Sequence, residues 1–325
     1  MPEAQVISPY PERAAERDRW VLERRPSRNR LDPWRPYAFF VEEEASDSGM
    51  VVPVAVVFLT NRECPWRCLM CDLWRNTLTE TVPGGAIPEQ VRFALSALPP
   101  ARQVKLYNAG NFFDPRAIPP EDFEPIARLI RPFERVIVEC HPALVGEACL
   151  RFRDLLDGRL EVALGLETIH PEVLPRLNKR MTLDQFQRAA DYLRAHGIDL
   201  RTFILAGLPF VDPEGALDWT RRSLDFAFDC GATAVSLIPT RTGNGAMEAL
   251  EEQGEFVPTT PGMLEVAAAY GLSLGRGRVF VDLWNLERLA RCLACFEARV
   301  RRLRAMNLHQ KVLPPVGCDQ CGGGR

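Results

Sequence analysis

Three cysteines, Cys64, Cys68 and Cys71, stand in the stretch RECPWRCLMCDLW (62–74), with no histidine or fourth cysteine beside them. A closed zinc site takes four ligands, so this Cys-x3-Cys-x2-Cys spacing makes one only if a distant residue completes it. A cubane [4Fe-4S] cluster suits the triad better: three thiolates hold three irons and leave the fourth to an exchangeable molecule. Iron–sulfur clusters reach potentials of about −700 mV, low enough to reduce a bound sulfonium. A second group pairs Cys292 with Cys295 and Cys318 with Cys321 as two Cys-x2-Cys knuckles. Each knuckle turns two thiolates toward one centre, so either zinc or an auxiliary iron–sulfur cluster would be satisfied there. Cys140, Cys149 and Cys230 stand singly on apolar stretches and read as small buried hydrophobes.

The elements that must carry these residues alternate along the chain. YAFFVEEE and MVVPVAVVFLT flank Asp47-Ser48-Gly49 and read as a hairpin whose second arm runs into the first cysteine loop. Strand-like runs follow at 104–109, 135–140, 160–167, 200–208 and 232–239. Helical periodicity lies between them, as at 87–98, at 181–197 with a Thr182 cap, and at 213–231 from Pro213 to Gly231. Counting 51–60, these are six strand–helix units, and parallel neighbours need such crossovers. Six units predict an α/β fold, a partial (β/α)6 TIM-like barrel, with the loops after the strand C-termini as its reactive face. The expected organisation is an N-terminal extension and hairpin (1–50), the barrel core (51–240) and a helical, cysteine-containing tail (241–325). A helix around Ala14–Glu23, an edge strand over 278–284 and a helix broken near Cys292 and Cys295 complete the reading.

Composition excludes more than it selects. The 325 residues are 46% hydrophobic and 26% charged, with a formal charge of −3, so no general attraction to polyanions is expected. Lysine occurs only at Lys105, Lys179 and Lys311, so arginine clusters alone say little about nucleic acid. Lys105 and Lys179 read as ordinary surface residues. The four histidines, His141, His170, His196 and His309, share no ligand spacing, and His196 reads as a helix cap. No run of about 18 apolar residues is present, and the first twenty residues lack an apolar signal core. Grouped cysteines without such a signal predict a reducing, cytoplasmic setting and no membrane partner.

The cysteine loop after a first barrel strand resembles the radical S-adenosylmethionine (radical SAM) superfamily over roughly residues 51–240. That resemblance implies a [4Fe-4S] cluster on Cys64, Cys68 and Cys71. It also implies S-adenosylmethionine on the unique iron, and reductive cleavage to a 5′-deoxyadenosyl radical that abstracts hydrogen. It implies an adenine contact for Met70, where relatives carry an aromatic ring. Asn108, Gly110 and Asn111, in YNAGNFFDP, stand where relatives hold the amino group of S-adenosylmethionine. Glu167 and then Glu139, at strand ends, are implied ligands of its ribose or sulfonium. VIVECHP (136–142) and VALGLETIHPEVLPRLNKRMT (162–182) resemble the elongator-type subgroup, which acts on tRNA, and more closely the radical SAM subunit of archaeosine synthase.

The leading expectation is therefore a radical SAM enzyme acting on a tRNA nucleoside, with a one-electron reductant such as a flavodoxin or ferredoxin and a protein that presents the RNA. A small-molecule or peptide substrate is the second reading, and a non-catalytic metal scaffold or electron carrier the third. RPSRNRLDPWRP (25–36) and RVRRLRAMN (299–307), each with four arginines, are the candidate phosphate contacts.

Overall fold

The computed structural model describes residues 9–321. Helix α1 (Ala14–Glu23) precedes a hairpin of β1 (Ala38–Ala45) and β2 (Val51–Phe58). Then come α2 (Ala86–Ala97), β3 (Gln103–Tyr107), α3 (Phe123–Ile130), β4 (Arg135–Cys140), α4 (Glu147–Arg153) and β5 (Arg159–Glu167). The short α5 (Val173–Arg176) and α6 (Leu183–Ala195) lead to β6 (Asp199–Ala206), α7 (Pro213–Asp229) and β7 (Ala234–Pro239). The chain ends with α8 (Ala246–Glu252), α9 (Pro261–Ser273), β8 (Arg278–Val281) and α10 (Leu293–His309).

The eight strands form one sheet in sequence order. β1 is antiparallel to β2, and every later pair is parallel. The six-unit barrel read from the sequence is β2 to β7, widened by one strand at each side. The edge strand stops at Val281, and the side-chain amides of Asn307 and Gln310 hydrogen-bond the backbone of Val281 and Val279. A free sheet edge is thereby covered.

Period-two alternation sorts the strand residues. Val104, Leu106, Val136, Val138, Val162, Leu164, Val235 and Leu237 join the core under the helices. Their neighbours line the lumen, whose floor, at the strand N-termini, is built from charge rather than branched apolar layers. Arg201 on β6 donates to Glu161 on β5 and to Glu44 on β1. Arg278 and Arg135 each donate to Glu161 at 2.9 Å, and Lys105 donates to Glu42 at 2.6 Å and to Glu44. These bonds cross the lumen, so they require a sheet curled into a barrel. Burial alone would raise the Glu161 carboxyl, but Arg201, Arg278 and Arg135 outweigh it and hold it at about 2. Lys105 is thus no surface residue; it is buried in this floor. The edges β1 and β8 approach through Ala45 and Phe280 and through Phe40 and Trp284, whose rings lie 5.2 Å apart. Among the described residues no helix is long and apolar enough to cross a membrane.

Candidate active site

The loop carrying Cys64, Cys68 and Cys71 leaves the C-terminal end of β2, and the segments that follow α5 and β7 clamp it. Leu69 N–H donates to Leu177 O at 2.9 Å, and the Asn178 amide donates to Arg67 O at 2.8 Å. From beyond β7, the Asn244 amide donates to Leu69 O at 2.8 Å and to Cys71 O at 3.3 Å. The Trp66 ring stacks on His141 with centroids 3.8 Å apart. His141 Nδ1 accepts from Ala143 N–H, which leaves Nε2–H to donate to Lys179 O at 3.1 Å. That imidazole is neutral: burial and Lys179 push it down to about 3. His196 caps α6 as expected.

The donor set suits a metal cluster in kind: three thiols on one loop, with the Lys179 ammonium and the Asn111 amide beside them. Each thiol is pushed up by burial, Cys68 to about 12, with Lys179 opposing the rise at Cys68 and Cys64. Thiols in such surroundings stay protonated until a metal replaces the proton. The Asn111 amide donates to Cys64 Sγ at 3.3 Å, while its oxygen accepts from His141 N–H at 2.6 Å. A Cβ at Gly110 would approach Cys64 Cβ to 3.3 Å, so a glycine lets the loop after β3 lie against the cysteine loop.

Each remaining candidate has a defined place. Asn108 is buried, and its Oδ1 has no hydrogen-bond partner among the described residues; an unpaired buried acceptor is costly unless a ligand meets it. Glu139 accepts from the N–H groups of Asn108 at 2.7 Å and Gly110 at 3.4 Å, so it braces that loop. Burial raises its carboxyl against the pull of those amides. Glu167 follows a bulge in β5, has φ of 66°, and accepts from Lys179 Nζ at 2.8 Å. A Cβ at Gly165 would collide with both of these charged groups. Met70 is half-buried and, like Phe210, packs against the apolar cluster that includes Leu205 and Leu208.

Sequence reasoning missed several of these residues. Lys179 is buried beside the cysteine loop instead of lying on the surface. The signal was present: with three lysines in the chain, a lysine where arginine is the habit marks a demand for a compact ammonium. Also unforeseen is a run of half-buried rings in the lumen between the charged floor and the cysteine loop. Tyr37, Phe40, Phe58, Tyr107 and Phe203 contact one another edge to face or tilted, with Trp284 at the rim. Alternation within each strand hides such a set, because its members come from five separate segments.

The C-terminal cysteines converge. Cys292 precedes α10, Cys295 lies in its first turn, and Cys318 and Cys321 return from the tail. Their four Sγ atoms lie within 4.8 Å of one another, with Cys292–Cys318 at 3.8 Å and Cys295–Cys321 at 3.7 Å. Arg299 Nε donates to Cys295 Sγ at 3.2 Å and also pairs with Glu265 on α9. Cys140, Cys149 and Cys230 are buried, as read.

A family model described as the radical SAM superfamily matches residues 58–220. The beta subunit of archaeosine synthase from Methanosarcina acetivorans is 26% identical over 226 residues, 65% of this chain and 64% of the relative. An uncharacterised Methanocaldococcus jannaschii protein is 22% identical over 243 residues, 70% of this chain and 67% of the relative. These matches span about two thirds of each relative's length. Among solved structures, Elp3 of Methanocaldococcus infernus, lacking its N-terminus, superposes with a TM-score of 0.50 at 15% identity. That superposition covers 67% of this chain and 59% of Elp3.

Proposed function

The chain belongs to the radical SAM superfamily and is an enzyme of that class; from this we propose that it abstracts hydrogen within a tRNA nucleoside. Cys64, Cys68 and Cys71 would hold the [4Fe-4S] cluster. When bound, the cluster supplies the electron that splits S-adenosylmethionine into methionine and a 5′-deoxyadenosyl radical. Asn108 Oδ1 accepts from the amino group of S-adenosylmethionine, Gly110 gives it close backbone approach, and Met70 with Phe210 meets the adenine. Asn111 orients the Cys64 sulfur, and Glu139 braces the 108–110 backbone. The Glu167–Lys179 pair faces the ribose and carries the positive charge nearest the thiolates.

The observation that carries the substrate reading is the ring-lined lumen. Stacking a base on aromatic rings is worth about 1–3 kcal/mol per base, and Phe58, Tyr107 and Phe203 in the lumen, with Trp284 at its rim, offer such faces. The likeness to an archaeosine synthase subunit supports the same class. Because that relative is one subunit of an enzyme, we carry over a partner protein that presents RNA, alongside a flavodoxin- or ferredoxin-type reductant. At the C-terminal site we propose a single zinc ion. A tetrahedron with Zn–S of about 2.3 Å has edges of about 3.8 Å, as at Cys292–Cys318. A cubane binds each thiolate through a different iron and spreads the four sulfurs wider.

The test is anaerobic reconstitution, reduction and assay of 5′-deoxyadenosine with and without tRNA transcripts. Cleavage should require Cys68 and rise with tRNA, and nucleoside mass spectrometry should show a changed base. A Cys68→Ala protein that still cleaves S-adenosylmethionine would refute the cluster assignment. Cleavage indifferent to tRNA would refute the substrate.

A further inference from the structure

Beside the cysteine loop, and walled in part by its Pro65 and Arg67, lies a cleft of about 430 Å³ whose other walls include Arg28, Arg62, Arg116 and Thr79. Its charge is lopsided. Glu63 accepts from Arg25 at 2.7 Å, from Arg67 at 3.1 Å and from Arg28, and Asp114 pairs with the half-exposed Arg116 at 3.1 Å. Arg62 makes no ion pair or side-chain hydrogen bond among the described residues, although it lines the cleft. At or beside the cleft, five guanidiniums, four of them paired, therefore stand against two carboxylates, a surplus of three positive charges in a chain whose formal charge is −3. Stability does not call for that surplus, because like charges gathered around one carboxylate repel.

The cleft is also built against the reactive loop. Arg67 donates to Cys64 O at 2.6 Å, and Pro65 adjoins Cys64. Arg28 is held by Thr77 Oγ1 at 2.7 Å and Trp74 O at 3.0 Å, so its guanidinium is set before any ligand arrives. Planar guanidiniums in fixed positions match phosphate oxygens two at a time.

We propose that this cleft binds a backbone phosphate of the RNA substrate, with Arg62 as the guanidinium left free for it, next to the loop that carries the cluster. The inference rests on the tRNA reading above and adds to it the surface by which the RNA is held. Of the two arginine runs, it selects the first. In the second, Arg299 and Arg302 are committed to Glu265.

The experiment measures fluorescence anisotropy of a labelled tRNA transcript on the reconstituted full chain, at several salt concentrations. Arg62→Glu is compared with Arg304→Glu, which makes the same charge change at an exposed position on α10. Arg62→Glu should weaken binding by about tenfold or more and reduce the slope of log K against log salt by about one. Arg304→Glu should leave both within about twofold. Equal losses in the two variants, or none in either, would overturn the cleft while leaving the tRNA reading intact. A protein that cleaves S-adenosylmethionine yet binds no tRNA would overturn both. Unchanged tRNA affinity in Arg62→Glu with lost saturable binding of a labelled mononucleotide would assign the cleft to a small phosphorylated molecule, against the proposal.

Discussion

Replacing Lys179 with methionine should be among the most damaging single changes outside the cysteines. Its ammonium lies 2.8 Å from Glu167 Oε1, and the two side chains are only 10% and 9% exposed. Methionine keeps the length of the side chain but strands a carboxylate in a site shielded from water. Breaking a buried pair from one side costs about 3–5 kcal/mol. At about 2 °C per kcal/mol for a large domain, the melting temperature should fall by about 6–10 °C. The double variant Lys179→Met/Glu167→Gln leaves no buried charge and should recover at least half of that loss. Anaerobic calorimetry on the reconstituted wild type, both single variants and the double variant closes the cycle. A single variant within about 1 kcal/mol of wild type, or a double variant no better than Lys179→Met, would refute the claim that the pair is closed to solvent and mutually dependent.

Glu161→Gln tests the barrel floor. The folded carboxyl lies at about 2 against an ordinary 4.5, so its charge contributes about 3 kcal/mol above pH 4.5. The stability gap between wild type and Glu161→Gln should hold from pH 7 to about 5 and narrow as pH falls from 4.5 toward 2. A gap that widens on acidification would contradict the sign. Cys295→Ser should remove one zinc per chain by metal analysis, leave the iron content unaltered and loosen the tail after Gln310 to proteolysis. Asn108→Ala should raise the Kd for S-adenosylmethionine by about tenfold, one lost hydrogen bond to a charged group, at unchanged iron content. Asn111→Ala, by contrast, should act through the Cys64 sulfur and shift the cluster's reduction potential. Gly165→Ala should mimic Lys179→Met in calorimetry, because a methyl group there displaces the same ion pair.

Strand–helix alternation and the three-cysteine loop were legible in the chain because both are local. A strand announces itself within six residues, and a cluster loop within eight. The two Cys-x2-Cys knuckles were legible for the same reason, although whether they serve one centre was not. Only the folded tail brings Cys292 to Cys318 and Cys295 to Cys321 at distances that suit one ion. Lys105 and Lys179 show the opposite case. The rarity of lysine in the chain marks them out, but nothing in sequence says that they are buried against Glu44 and Glu167, because those partners lie 61 and 12 residues away. The ring-lined lumen and the arginine cleft likewise gather side chains from distant segments. The order of apolar and polar residues determined that this chain forms a parallel barrel with a thiol loop at its mouth. Curling of that sheet decided which charges lost water, and therefore which had to be paired.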